Sequence, residues 1–331
     1  NILRFASYVI LLLAISCFLF SKISSIIFLF FSIFLMRLSG QGLMSHTAST
    51  TISRYFEKSR GRALSTTWLG LSFAEFVMPL FIVFLLTFIE WRNIWISISI
   101  LIILILPIVI FFTVKNISLD TRENSISDNK IENKIKQWKR SEVLRDYRFY
   151  IISFNMLAMP WIATGSFVYQ SFISSSKGWG PYVIAQSFMV YSVLSVITLF
   201  FSGFLIDKFS SRKLLIYMNI PLIFSAFVLF YFNSPISAFV FFGFIGISNG
   251  FANVLGSSTW AEIYGVKYIG SIKALTTSLM VFSTAFGTAL FGILIDNGFL
   301  IEQIAIISAT YISIAIISLY SIRNKLNPEY L

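Results

Sequence analysis

Two ionisable side chains stand where a chain this apolar resists them. Arg37 follows the hydrocarbon run "SSIIFLFFSIFLM", and Glu75 sits inside "LGLSFAEFVMPL". A charge at the centre of a membrane span costs roughly 2.5–3.5 kcal/mol on insertion scales, so it normally faces a cavity or a partner. At about 1.5 Å per residue, Arg37 lies roughly ten residues into its span from the outer side. Glu75 lies roughly eleven into the next span from the inner side, so the two depths match within about a turn. Three readings follow. The pair is an ion pair that fixes two consecutive helices. Or Arg37 holds an anionic group while Glu75 exchanges a proton. Or one of them faces a wet crevice and has no role.

Other polar groups are embedded nearby. His46, in "MSHTAST", lies inward of Arg37 and is either a proton relay or a hydrogen-bonded packing residue. The stretch "FNMLAMPWIATGSFVYQSF" carries Asn155, Trp161, Tyr169 and Gln170 in a span broken by Pro160 and Gly165. Broken helices line the substrate cavities of carriers. For Tyr169 and Gln170 an interfacial belt is the alternative. "ISNGFANVLGSSTW" places Asn249 and Asn253 four apart on one helical face, either as glue between helices or as substrate contacts. "STAFGTALFG" is rich in small residues, as close helix packing requires.

The sequence offers no enzyme constellation: it has no phosphate-binding loop, no nucleophile elbow, one cysteine (Cys17) and one histidine. It predicts no enzyme, no cofactor and no metal site. The sequon "NIS" at 116 falls in a loop placed inside and carries no meaning there.

The elements that position these groups are helices in a bilayer. The 331 residues are 57% hydrophobic and 12% charged, against about 25% charge in a soluble domain. Apolar runs without alternation predict ten spans: 4–20, 25–50, 63–89, 94–114, 149–172, 183–206, 213–232, 236–260, 270–295 and 301–322. The polar segment 115–148 separates four spans from six and predicts a loop with a short amphipathic helix around 130–146. With that loop inside, the inner loops hold Arg54, Lys58, Arg60, Arg62, nine basic residues of 115–148, and Lys208, Arg212, Lys213, Lys267, Lys273, Arg323 and Lys325. The outer loops hold only Lys22, Arg92 and Lys177. The bias puts the central loop and C-terminus in the cytoplasm, and it accounts for the net charge of +11 without nucleic acid.

A shift of 209 residues lays "LSGQG" (38–42) on "ISNGF" (247–251), Tyr55 on Tyr264 and Gly61 on Gly270. Two like-oriented repeats are a transporter architecture. The same shift carries the span near Phe149 to before Asn1, which predicts about 60 preceding residues, enough for two more spans. The expected whole is all-α, six plus six helices. Its parts are 1–114 (the first half), 115–148 (a cytoplasmic loop) and 149–331 (the second half).

The chain resembles the major facilitator superfamily over essentially its whole length. "GFLIDKFSSRK" looks like the second-half copy of the family's G-x-x-x-D-[RK]-x-x-x-[RK] loop, through Gly203, Asp207, Lys208 and Arg212. "RLSGQG" looks like an R-x-x-x-Q-G variant, through Arg37, Gln41 and Gly42. "AEIYGVKYIGSIKAL" and "GTALFGILID" resemble bacterial members. The likeness is loosely nearest the monocarboxylate and oxalate/formate-type carriers. The glycine-proline signature of many drug/proton antiporters is missing from "LGLSFAEFVMPL".

The resemblance implies gating roles for Arg60 and Gly61 and a latch at Asp207, Lys208 and Arg212; Arg37 and Gln41 are candidate substrate or proton-coupling residues. The expected protein is a multi-pass, monomeric carrier of a bacterial inner membrane. It moves a small organic anion with protons by alternating access. Efflux of amphipathic compounds by proton antiport is the alternative, and a non-transporting receptor is the alternative of another class.

Overall fold

The computed structural model describes residues 2–45, 47–48, 60–115, 136–265 and 267–329, without the side chains of 2–3, 60–68, 113–115, 181, 207 and 257. Ten helical segments among the described residues are long and apolar enough to cross a membrane, and each coincides with an expected span to within a few residues. The chain divides into two units, Asn1–Trp68 with Leu80–Lys130, and Leu69–Pro79 with Ile131–Leu331. The stretch Leu69–Pro79 thus groups with the second unit although it precedes the central loop.

In the first unit, α1 (Ile2–Ser21) packs against α2 (Ile26–Met36) and α4 (Trp91–Lys115); α3 (Arg60–Leu86) runs between the latter two in sequence. Small residues let α1 and α4 approach: Ala14 is fully buried and its carbonyl accepts from Ser99 Oγ at 2.8 Å. At Arg37 the α-helical winding of α2 loosens into a π-helix, Arg37–Met44. Inside that widened stretch Ser39 is buried and reaches Ser16 Oγ on α1 at 3.2 Å.

The second unit begins with a span in three pieces: α5 (Tyr147–Met156), α6 (Ala158–Val168) and α7 (Gln170–Lys177). The first break falls at Leu157, three residues before Pro160. The proline ring has no N–H and presses on the carbonyl four residues earlier, here Met156. The second break falls at Tyr169 (φ −98°, ψ 23°), not at Gly165. Gly165 is needed for another reason. A Cβ there would collide with the Phe291 ring of α11 (Ile269–Asp296), as one at Gly287 would with the Trp161 backbone.

Between α6 and α11 lie α8 (Pro181–Phe209), α9 (Ile220–Tyr231) and α10 (Pro235–Tyr264); α12 (Ile301–Ser321) closes the unit against α9. Gly243, Gly246 and Gly250 share one face of α10 and receive α8. A Cβ at Gly250 would stand 2.6 Å from the Ser195 carbonyl oxygen.

The amphipathic helix expected over 130–146 is a single turn, Arg140–Val143; residues 130–135 lie outside the described set. The described part is held extended by pairing elsewhere. Lys136 N donates to Glu329 O at 2.7 Å and Trp138 N to Tyr264 O at 3.1 Å, which a helix would forbid.

Candidate functional site

Arg37 and Gln41 lie in the π-helical stretch, both exposed on the first unit. Wide turns of this kind concentrate at functional sites. Here the turn turns Ser39 inward onto α1 and leaves Arg37 and Gln41 outside, about one turn apart. Within its own unit Arg37 has no carboxylate partner among the described residues. Glu75 is a half-buried residue of α3 in the second unit, again without a cation from its own unit, within electrostatic reach of Tyr191 on α8. The face of α3 beside it, with Leu69, Phe73 and Phe76, forms an open groove of about 380 Å³ with Val193, Val196 and Ile197 of α8. Ser72 and Ser192 are its polar members, and Ser192 Oγ is buried without a hydrogen-bond partner.

The second-unit asparagines divide. Asn155 is fully buried and accepts from Asn219 Nδ2 through its backbone oxygen (2.6 Å) and its side-chain oxygen (3.2 Å), so it ties α5 to the start of α9. Asn249 donates to Ser195 Oγ at 2.9 Å and ties α10 to α8. Asn253, one turn on, is half-buried and makes no side-chain hydrogen bond among the described residues. The two share a face, as the spacing predicts, but only Asn249 is occupied.

Trp161 is 2% exposed and stands edge-on to Tyr311 (5.3 Å, 84°), with no well-formed hydrogen bond from its indole N–H. Burial in aromatic packing makes it a wall, not a surface open to ligand in this conformation. Tyr169 is half-buried and stacks on Phe291 at 6.3 Å, its hydroxyl lying over Gly292. Gln170 begins α7, half-buried.

At the other end, Arg60 and Gly61 open α3, Asp207 lies near the end of α8, and the side chains of all three lie outside the described residues, as does His46 entirely. Lys208 is exposed, its ammonium 5.3 Å from the Phe209 ring. A Cβ at Gly203 would meet nothing within 4 Å. Arg212 pairs with Glu262 of α10 (Nε to Oε1, 3.1 Å), and the other carboxylate oxygen accepts from the backbone N–H groups of Ser211 (2.9 Å) and Arg212 (3.3 Å) and from the Ser211 hydroxyl. Glu262 therefore caps the short helix Ser211–Leu214 and holds the α8–α9 connection to α10. Ser210, in that connection, sits at φ 71°, ψ 149°, a conformation nearly confined to glycine.

Sequence reasoning passed over Glu262, although an acidic residue three positions before the helix-ending Gly265 was a readable signal. It counted Lys177 among the outer-loop cations and gave it no partner. Lys177 is buried and donates to Glu302 Oε1 (2.6 Å) and Asn233 Oδ1 (2.8 Å), so it joins the ends of α7, α9 and α12.

Comparison with known proteins agrees with this architecture. A family model described as Major Facilitator Superfamily matches residues 3–288. The chain is similar in structure to a bacterial homologue of the human lysosomal transporter Spinster, in an inward-facing and unoccupied conformation. The TM-score is 0.63 at 15% identity, over 98% of this chain and 84% of that one. No curated protein matches the sequence.

Proposed function

The chain belongs to the major facilitator superfamily, a family of secondary transporters and not of enzymes, and from that premise we propose that it moves a small organic anion together with protons. Arg37 supports the reading most. A guanidinium mid-span, exposed on its unit and without a carboxylate from it, is a fork for a carboxylate or similar anion. Gln41 adds a donor one turn away. Glu75 takes the proton-coupling role. Asn253, Tyr169 and Gln170 complete the candidate polar contacts, and Arg212 with Glu262 acts at the gate. The orientation that puts the central loop and C-terminus in the cytoplasm of a bacterial inner membrane rests on the placement of basic residues.

A second reading, efflux of an amphipathic compound, draws on the apolar lining of the groove between α3 and α8. One experiment separates the two. The complete protein is reconstituted in liposomes containing a pH dye, and small carboxylates are added singly to wild type, Glu75→Gln and Arg37→Gln. Acidification by one anion, abolished in both variants, is the expected result. Acidification that survives Glu75→Gln makes Glu75 structural. No acidification in folded protein, together with proton-driven export of an amphipathic dye, overturns the anion reading in favour of the second.

A further inference from the structure

Where α5 enters its span, the second unit carries a pocket of about 420 Å³ that the transport reading does not use. Three carboxylates line it, and each already holds a protein partner. Glu142 accepts from Lys139 N at 2.6 Å. Asp146 accepts from Arg148 N (2.9 Å), Arg148 Nε (2.8 Å) and the Tyr264 hydroxyl (3.0 Å). Glu329 accepts from Arg148 Nη2 (2.9 Å) and Lys136 Nζ (3.2 Å). Arg148 has four of its five N–H donors engaged, since Nη1 also reaches the carbonyls of Lys325 (3.2 Å) and Asn327 (3.3 Å).

Two cations of the lining have no carboxylate partner among the described residues. Arg145 lines the pocket, is exposed, and makes no side-chain hydrogen bond or ion pair among the described residues. Among the described residues the Lys325 ammonium has only the Tyr147 ring, at 5.9 Å. The Trp138 indole N–H is buried in the same lining without an acceptor. Two exposed cations without a carboxylate partner, against one carboxylate, Glu142, that is held only by a backbone N–H, leave this lining able to take a phosphate.

We propose that this pocket binds the phosphate of an anionic membrane lipid, with Arg145 and Lys325 as its anchors. The position selects a lipid over a soluble phosphate. Tyr147 and Tyr150, the first residues of the span, are about half exposed (50% and 55%), and Leu144 is exposed beside them. Aromatic rings at a span's end sit at headgroup depth. At the matching end of α12, Arg323 lies 3.9 Å over the exposed Tyr320 ring. A lipid can lay its acyl chains along this aromatic flank while its phosphate enters the pocket.

The test is native mass spectrometry of the full chain with phosphatidylglycerol or phosphatidylcholine, for wild type, Arg145→Gln, Lys325→Gln, the double variant and Lys22→Gln. A surface cation is worth about fivefold in affinity for an anionic lipid, so each single variant weakens phosphatidylglycerol about fivefold and the double about 30-fold. Phosphatidylcholine binding and the Lys22→Gln control stay at wild-type levels. The Arg145 side chain makes no hydrogen bond or ion pair among the described residues, so its variant keeps the test valid even where Lys325→Gln perturbs the tail. Unchanged phosphatidylglycerol binding in Arg145→Gln and the double variant overturns the proposal, and so does equal weakening in Lys22→Gln. Displacement of the lipid by excess inorganic phosphate overturns the lipid assignment in favour of a soluble anion.

Discussion

Gly246→Ala adds one methyl group to α10 and should separate two helices. The new Cβ would collide with the backbone carbonyl of Tyr191 on α8, with the Tyr191 Cα 3.0 Å away. Backbone cannot rotate aside as a side chain can, so α8 must shift. Overpacking of this kind costs about 1–3 kcal/mol. The shift also stretches the Asn249–Ser195 hydrogen bond, less than a turn away at 2.9 Å, which is worth about 1 kcal/mol. Against this, alanine gains about 0.5–1 kcal/mol over glycine inside a helix. The net loss is about 2 kcal/mol, or roughly 4–8 °C at about 2–4 °C per kcal/mol. The internal control is Gly203→Ala on α8, where the Cβ would meet nothing within 4 Å. There only the propensity gain remains, and the melting temperature should rise by about 1–4 °C. Thermal unfolding of purified protein in detergent, followed by tryptophan fluorescence, reads both signs. A Gly246→Ala protein at least as stable as wild type would refute the close α8–α10 approach, whatever Gly203→Ala does.

Two further substitutions test local energetics. Ser210→Gly removes a side chain from a positive-φ position that costs about 1–3 kcal/mol for a non-glycine residue, and should raise the melting temperature by several degrees; no rise would mean the α8–α9 connection is unstrained. Glu302→Ala leaves the buried Lys177 ammonium with Asn233 alone and should cost about 3 kcal/mol, whereas Lys177→Ala should cost less because the Glu302 side chain is 34% exposed and can be hydrated. Chemical denaturation of both variants ranks them, and the reverse order would mean that Glu302, not Lys177, is the buried partner.

Much of the fold is legible in the sequence because a bilayer imposes a one-dimensional rule. About 20 apolar residues must form a helix, wherever its neighbours lie. The small residues of "STAFGTALFG" were equally readable, and Gly287 and Gly292 do receive Trp161 and Tyr169. The polar residues obey no such rule. Asn155, Asn249 and Asn253 look alike on a hydropathy plot, yet the first two are spent on Asn219 and Ser195 and the third is free among the described residues. The difference lies in which helix faces them: for Asn249 the close approach of α8 at Gly243, Gly246 and Gly250 brings in Ser195, and for Asn155 the start of α9 brings in Asn219. The partners of Arg212 and Lys177 escaped for the same reason: Glu262 lies 50 residues from Arg212 and Glu302 lies 125 from Lys177.

The charged groups of the second unit separate into two kinds by what surrounds them. At Arg148, Asp146 and Glu329, and again at Lys177 with Glu302 and Asn233, each charge has an assigned opposite and its hydrogen bonds are filled. Such sites hold helix ends together and have little to offer a ligand. Glu75, Arg145 and Lys325 lack that satisfaction within the unit, as Arg37 does in the other. Arg145 and Lys325 are exposed, so water solvates them and leaves them open to a ligand. The ligand proposed for Arg145 and Lys325, at a span's end, is a lipid phosphate. For Arg37 and Glu75, mid-span, no lipid phosphate reaches. On the proposed transport reading, an anion would fill that role at Arg37 and a proton at Glu75.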